Sequence, residues 1–372
     1  MNSRSHIYYF IIISIISVIF ASVSPKNNWD LTAYIACAMN YDIKDSHQLH
    51  QLTFKTLKTT LSNDDYLRIK GPSVAGNYRN ENSLNPKIFN EQLNFYKMRY
   101  AYTFGIYLLN KLGINIIVAT YLLTIFASIL GLWVLFVTFM NRLSAIYVYL
   151  LPIMLAIYGF TNLIRLSTPD ALAFLFTTII INLFLNKKHT SLSLFLPIGI
   201  LLRTDLILLI GFIYIYQFFY FKKLNRYDFI GFFTSLALYF LCTKISGHYG
   251  WKTLFHFQFI EKDLYPGSLI VTFSFKEYVL ILLREITHLK TNVGFMVFMV
   301  IFFLNLKLTL SNFSAIFSSV EHKRIVYLQI ILSLFAFTFF LIFPGMAPRH
   351  MIGTFTIFTC LYFYLLPKYK IS

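Results

Sequence analysis

Residues 114–140 read INIIVATYLLTIFASILGLWVLFVTFM, without one charged side chain. A helix rises about 1.5 Å per residue and a bilayer's hydrocarbon core is about 30 Å thick, so about 20 apolar residues make one crossing. A run of this length reads as a membrane span, and comparable apolar segments recur at 7–23, 144–160, 170–186, 190–202, 204–221, 229–245, 291–306, 325–343 and 351–367. With 57% hydrophobic and only 13% charged residues, composition says the same. The expected fold is an all-α, polytopic transmembrane bundle of about ten spans, a single membrane domain over residues 1–372.

A net charge of +17 would point to nucleic acid in a soluble chain. Here the cations are read segment by segment, because Lys and Arg retained on the cytoplasmic side set orientation and anionic lipid head groups supply the counter-charge. An even number of spans puts both termini on one side. With that side inside, the cytoplasmic segments collect Arg4, Arg142, Lys187, Lys188, Lys222, Lys223, Arg226, Lys307, Lys323, Arg324, Lys368 and Lys370 against Asp228 and Glu321. The reading is therefore a multi-pass protein of the inner, cytoplasmic membrane with both termini cytoplasmic, whose partners are membrane lipids and not nucleic acid. Arg4 ahead of the first apolar run and Pro25 just after Ser24 favour an uncleaved signal anchor. Segments 190–202 and 204–221 are short for two crossings, and the charge rule favours a hairpin turning at Arg203-Thr204-Asp205.

This orientation furnishes the outer face. Residues 24–99 form the first extracytoplasmic loop and 246–290 the second, with short turns at 165–170, 203–205 and 343–350. Segments 100–112 and 277–289 mix charge with apolar residues and suit helices lying in the interface. Trp29, Tyr96, Tyr100 and Trp251 suit the aromatic belt.

Candidate chemistry gathers on that face. Asp30 follows the first span within a few residues and Tyr34 lies one helical turn later. A partly desolvated carboxylate there suits proton abstraction from a hydroxyl nucleophile; the same Asp also reads as the N-cap of a helix over 31–39. Arg165, Asp170, Arg203, Asp205 and Arg349 sit at the ends of apolar segments, where charge is costly unless paired or functional. Several guanidinium forks on one membrane face suit a lipid phosphate; alternatively Arg165 pairs with Asp170, and Arg203 with Asp205. Asn63-Asp64-Asp65 reads as a turn and His47 and His50 as loop residues. Glu285 and His288 read as a solvated helix face. Cys37, Cys242 and Cys360 match no metal or redox spacing, and no metal site or cofactor is implied.

Four stretches resemble the bacterial GT-C glycosyltransferases, the group that includes lipid-phosphate-sugar-dependent mannosyl- and arabinosyltransferases: Trp29-Asp30-Leu31-Thr32-Ala33-Tyr34-Ile35-Ala36; Phe95-Tyr96-Lys97-Met98-Arg99-Tyr100 running into Gly105-Ile106-Tyr107-Leu108-Leu109; Ser167-Thr168-Pro169-Asp170-Ala171-Leu172-Ala173; and Leu202-Arg203-Thr204-Asp205. Ala347-Pro348-Arg349-His350 is similar to an Arg-Tyr step of that family, with His for Tyr. The chain departs from the family in having no acidic pair directly after the first span and no sizeable soluble domain after the last. The resemblance implies a GT-C-like bundle in which Asp30 is the catalytic carboxylate, Arg203 and Arg349 meet the polyprenyl phosphate of the donor, and Tyr34, Arg99, Arg165 and Asp170 complete the substrate site. It further implies inverting transfer from a lipid-linked sugar donor to a glycan or lipid-glycan acceptor. A divalent metal is not required, since arginine can meet the charge of the leaving phosphate.

Two rival readings are a polysaccharide polymerase of the O-antigen type, which usually places its largest outer loop late in the chain, and a lipid or solute transporter, which tends to show inverted repeats and charges near mid-membrane. The orientation is testable at once: reporter fusions after Lys58 and after Ser372 are expected to report opposite compartments, and identical reports would overturn it.

Overall fold

A computed structural model describes residues 3–74, 76–221, 225–345 and 348–369, and its regular elements are helices, with no strand among the described residues. Lys222, Lys223, Lys370 and Ala347, used in the sequence reading, lie outside them.

The chain opens with α1 (Ser3–Val23) and then builds five short helices: α2 (Trp29–Met39), α3 (Ser46–Thr60), α4 (Asn63–Lys70), α5 (Tyr78–Leu84) and α6 (Pro86–Leu93). The starts of α3 to α6 are chemically marked. Asp45, Ser62, Asn77 and Asn85 each accept a hydrogen bond from a first-turn amide, and Pro86 opens α6 where its missing N–H costs nothing. Leu31, Ile35, Leu49, Leu57, Phe89 and Leu93 form a separate core beneath them. The predicted first outer loop is therefore a packed helical layer, which corrects two readings. His50 is buried on α3 with Nε2 3.0 Å from the Asn82 carbonyl oxygen, and Asp64 and Asp65 occupy the first turn of α4 rather than a free turn.

From there α7 (Tyr100–Lys111) leads into α8 (Ile116–Phe139), followed by α9 (Ala145–Ile157), α10 (Phe160–Leu163) and α11 (Asp170–Leu185). Next come α12 (His189–Phe195), α13 (Ile198–Leu202), a 3₁₀ turn at Thr204–Leu206, α14 (Ile207–Phe221) and α15 (Arg226–Ser246). The predicted second outer loop carries α16 (Trp251–Phe259) and α17 (Phe275–Leu289). The chain closes with α18 (Val293–Ser311), α19 (Phe313–Ser318), α20 (Val320–Ile342), a 3₁₀ turn at Pro348–His350 and α21 (Ile352–Leu365).

Among the described residues five helices are long and apolar enough to cross a bilayer: Ser5–Val23, Ile116–Phe139, Arg226–Ser246, Val293–Ser311 and Val320–Ile342. Many of their apolar side chains remain outside the packing, among them Ile12 and Ile16 of α1, Phe233 and Phe240 of α15 and Phe303 of α18, the signature of a membrane protein. The other five predicted segments form apolar helices of 10–17 residues, no longer than about 26 Å. Inside two of these apolar runs the backbone breaks. Gly159 takes φ 97°, open mainly to glycine, and ends α9 and begins α10, while Pro197 separates α12 from α13.

The bundle core centres on α8 against α11, with α21 packed on α11, α9 and α20, and α14 on α20. The closest backbone approach supports α15: a Cβ on Gly231 would collide with the Ser193 carbonyl oxygen and the Tyr214 hydroxyl, which are joined by a 2.8 Å hydrogen bond. Gly231→Ala is therefore expected to destabilise the protein by about 1–3 kcal/mol through overpacking. Gly211→Ala, where a Cβ meets nothing within 4 Å, should be neutral or slightly stabilising; thermal unfolding of the detergent-solubilised variants checks the contrast.

Candidate functional site

A cavity of about 720 Å³ lies where the helical layer of α2 to α6 meets the bundle. Its charged lining comes from five parts of the chain: Asp30 from α2, Arg99 ahead of α7, Asp170 from α11, Arg203 and Asp205 from the turn after α13, and Arg349 from the turn before α21. The rest of the lining is largely apolar and aromatic, including Leu208, Tyr239, Leu254, Phe257, Ile342 and Phe343.

Local sequence explains each placement. The body of α2 is buried, and its small residues Ala33, Ala36 and Ala38 let the helix sit close to its neighbours. Asp30 and Tyr34, four residues apart, share the face that lines the cavity. Asp30 is not the cap it could have been: the N-cap position belongs to Asn28, and Asp30 lies in the first helical turn. Asp170 begins α11, where the amides at a helix N-terminus favour a carboxylate. Arg203 closes α13 in an extended conformation (φ −154°), and the 3₁₀ turn that follows brings Asp205 back to it.

The charges alternate in a ladder. Arg349 Nη2 lies 3.2 Å from Asp30 Oδ2 and its Nε 3.2 Å from Asp170 Oδ2. Arg203 Nη1 pairs with Asp170 Oδ1, while its Nε and Nη2 make a two-pronged contact with Asp205 at 3.1 and 2.8 Å. The Thr168 hydroxyl donates to Asp170 at 2.9 Å, and Tyr96 and Asn28 donate to Asp30 at 3.2 and 2.9 Å. The ladder thus runs Asp30, Arg349, Asp170, Arg203, Asp205, and its depth is uneven. The Arg203 and Asp170 side chains are 8% and 5% exposed, those of Arg349 and Asp30 27% and 22%.

Environment decides protonation around the ladder. Burial pushes the Tyr34 and Tyr96 phenols upward, so both remain hydrogen-bond donors. Burial pulls His350 down to about 3 despite Asp170 at 3.9 Å, with Arg203 and Arg349 acting in the same sense, so the imidazole is neutral at pH 7. For Arg203 and Arg349 burial acts downward, but carboxylates outweigh it (Asp205 then Asp170 for Arg203, Asp170 then Asp30 for Arg349) and both guanidiniums are held above their usual range. Arg99 differs from both: it donates to the Phe95 carbonyl oxygen and makes no ion pair with any described residue.

The structure thus brings together six of the seven residues singled out from sequence: Asp30, Tyr34, Arg99, Asp170, Arg203 and Arg349. Arg165 is elsewhere. Its Nε donates to the Ser24 carbonyl oxygen, its guanidinium lies 4.8 Å from the Phe20 ring centroid, and it braces the end of α1. Of the two ion pairs foreseen, Arg203 with Asp205 forms and Arg165 with Asp170 does not. Tyr96, His248 and Trp251 also line the cavity. Tyr96 and Trp251 had the composition of a membrane belt and His248 stood in no motif, so spacing alone carried no sign of them.

The segment carrying α16 and α17 closes over the site. Trp251 Nε1 donates to the Ile342 carbonyl oxygen at 2.7 Å and the Tyr278 hydroxyl to that of Leu341 at 2.6 Å, tying α16 and α17 to the end of α20. Gln92 Nε2 donates to the Asp263 carbonyl oxygen at 3.0 Å, joining the same segment to α6. Compared with protein-family profiles, curated proteins and solved structures, the chain matches none.

The ladder makes a stability prediction. Removing one partner of a buried ion pair costs about 3–5 kcal/mol, so Asp170→Ala, which takes the shared carboxylate from buried Arg203 and from Arg349 and leaves them only Asp205 and Asp30 respectively, is expected to lower the unfolding temperature more than Asp30→Ala, where both side chains of the pair are more exposed. Equal losses, read by thermal unfolding in detergent, would overturn the depth order.

Proposed function

We propose that the chain is an integral-membrane inverting glycosyltransferase that moves a sugar from a polyprenyl-phosphate-linked donor to a hydroxyl acceptor on the extracytoplasmic face, in cell-surface glycan assembly. In this reading the ten apolar helical segments form a GT-C-like bundle in the cytoplasmic membrane, both termini are cytoplasmic, and the helical layer over residues 24–99 lies outside. The observation that carries it is the meeting of Asp30 with three arginines on one cavity whose remaining wall is apolar. An amphiphile with an anionic head group and a hydrocarbon tail has that same division of chemistry. The volume, about 720 Å³, falls in the usual range for small-molecule sites of about 300–1,000 Å³.

The reaction follows from the residues. Asp30 accepts the proton of the acceptor hydroxyl as its oxygen attacks the anomeric carbon. The bond from that carbon to the phosphate oxygen breaks on the opposite face, and the electron pair leaves with the lipid phosphate. Guanidinium groups meet the charge that develops on that oxygen, so this chemistry calls on no divalent metal. The sequence reading assigned the phosphate to Arg203 and Arg349. Because Arg203 is committed to two carboxylates, Arg99, which has no carboxylate partner, is the better first contact, and Arg203 acts by positioning Asp170.

Asp30, Asp170 and Asp205 balance Arg203, Arg349 and Arg99 with His350 neutral, so the lining is close to neutral overall, and among the described residues Arg99 is its arginine without an ion pair.

Two substitutions test the reading. Asp30→Asn keeps the side chain's shape and is expected to leave a folded, inserted protein that has lost most glycan transfer, since general-base contributions run to about 10²–10⁴-fold. Arg99→Lys keeps the charge but loses the planar fork, and transfer should fall markedly. Normal glycan transfer in cells expressing Asp30→Asn at wild-type level would overturn the enzymatic reading.

A further inference from the structure

Both oxygens of Asp30 are already engaged by donors, Oδ1 by the Tyr96 hydroxyl and Oδ2 by Asn28 and, at 3.2 Å, by Arg349, so an acceptor hydroxyl has to compete with the guanidinium for Oδ2. We propose that Arg349 is a displaceable guard on Asp30: a lipid phosphate entering the cavity draws the guanidinium away from Asp30, so activation of the acceptor waits for the donor. The proposal rests on the glycosyl-transfer reading and adds to it an order of events.

Three features of the ladder carry it. Of the two arginines in the ladder, Arg349 is 27% open and Arg203 8%, and the other open end is the carboxylate Asp205 at 29%, so an anion that reaches the ladder meets Arg349 before Arg203. Arg349 has a second anchor, Asp170 at 3.2 Å from its Nε, about which the outer nitrogens can turn without the side chain leaving the ladder. Asp30 is also held independently by Tyr96 and Asn28, so losing Arg349 releases its charge while its position is kept. Tyr34 lies within electrostatic reach of both Arg99 and Arg349, which puts the unpaired cation and the guard around one point of the cavity. Neutral His350 offers Asp30 no substitute cation.

The alternative is that Asp30 and the phosphate repel each other across the cavity with Arg349 uninvolved. A double-mutant cycle separates the two. Binding of undecaprenyl phosphate, with undecaprenol as the uncharged control, would be measured on the full-length protein in nanodiscs for the wild type, Asp30→Asn, Arg349→Gln and the double variant. If Arg349 is shared between Asp30 and the phosphate, Asp30→Asn tightens phosphate-dependent binding about tenfold, Arg349→Gln weakens it by a similar factor, and adding Asp30→Asn to Arg349→Gln changes it less than about twofold. Equal tightening by Asp30→Asn in both backgrounds, or none in either, overturns the guard while leaving the glycosyl-transfer reading in place. Equal binding of phosphate and alcohol to the wild type overturns both. Should Arg349→Gln fail to fold, Arg349→Lys replaces it in the cycle; tightening by Asp30→Asn in that background as large as in the wild type overturns the guard.

Discussion

The ion-pair ladder from Asp30 through Arg349, Asp170 and Arg203 to Asp205 is the constraint on which the rest of the molecule turns. Moving a single charge out of water costs several kcal/mol even after relaxation, so each buried group needs its neighbour of opposite sign at hydrogen-bond distance. The five residues come from α2, the start of α11, the turn after α13 and the turn before α21. None of those elements can shift alone without stranding a charge. The ladder therefore sets how the layer of α2 to α6 sits on the bundle, and with it the shape of the cavity between them.

The same constraint gives the cavity its chemistry. Because Arg203 and Arg349 each face two carboxylates of the ladder, the arginine of the lining left without an ion pair among the described residues is Arg99. Because α16 and α17 cover the site through aromatic and apolar side chains tied to the end of α20, the remaining wall suits hydrocarbon. That combination of an arginine outside the ion pairs of the described residues, partly exposed carboxylates and a largely apolar wall is the basis on which we propose an anionic lipid as the ligand. In the guard proposal, the pairing of Asp30 with Arg349 is the contact that the phosphate would reorganise.

Much of the helical architecture was legible in the chain. Uninterrupted apolar runs announced α1, α8, α15, α18 and α20 because a helix must hide its own backbone polar groups in lipid and needs a minimum length to cross it. Segment 277–289 was legible through its amphipathic pattern and became most of α17. Less legible were the ends of the shorter helices, where one glycine and one proline cut runs that composition alone treats as continuous. The folding of residues 24–99 into five packed helices also escaped a reading tuned to spans, although Asp45, Ser62, Asn77 and Asn85 were cap signals in plain view.

For the candidate site the division is sharper. Asp30, Asp170, Arg203, Asp205 and Arg349 stand out in the sequence because charge at the edge of an apolar segment is expensive, whereas Tyr34 and Arg99 enter the site only through the resemblance. Arg165 stood out for the same reason and proved to brace α1, since the cost of a charge says that it needs a partner and not which partner it finds. Partnership is a property of three-dimensional distance: Arg349 and Asp30 are separated by 319 positions and meet at 3.2 Å, while Arg165 and Asp170, five positions apart, do not meet. The sequence by itself determined which side chains carry charge into an apolar chain. Only the tertiary structure decided which of them neutralise one another and which is left free to act, because electrostatic energy falls with distance in space and local spacing fixes that distance only within an element.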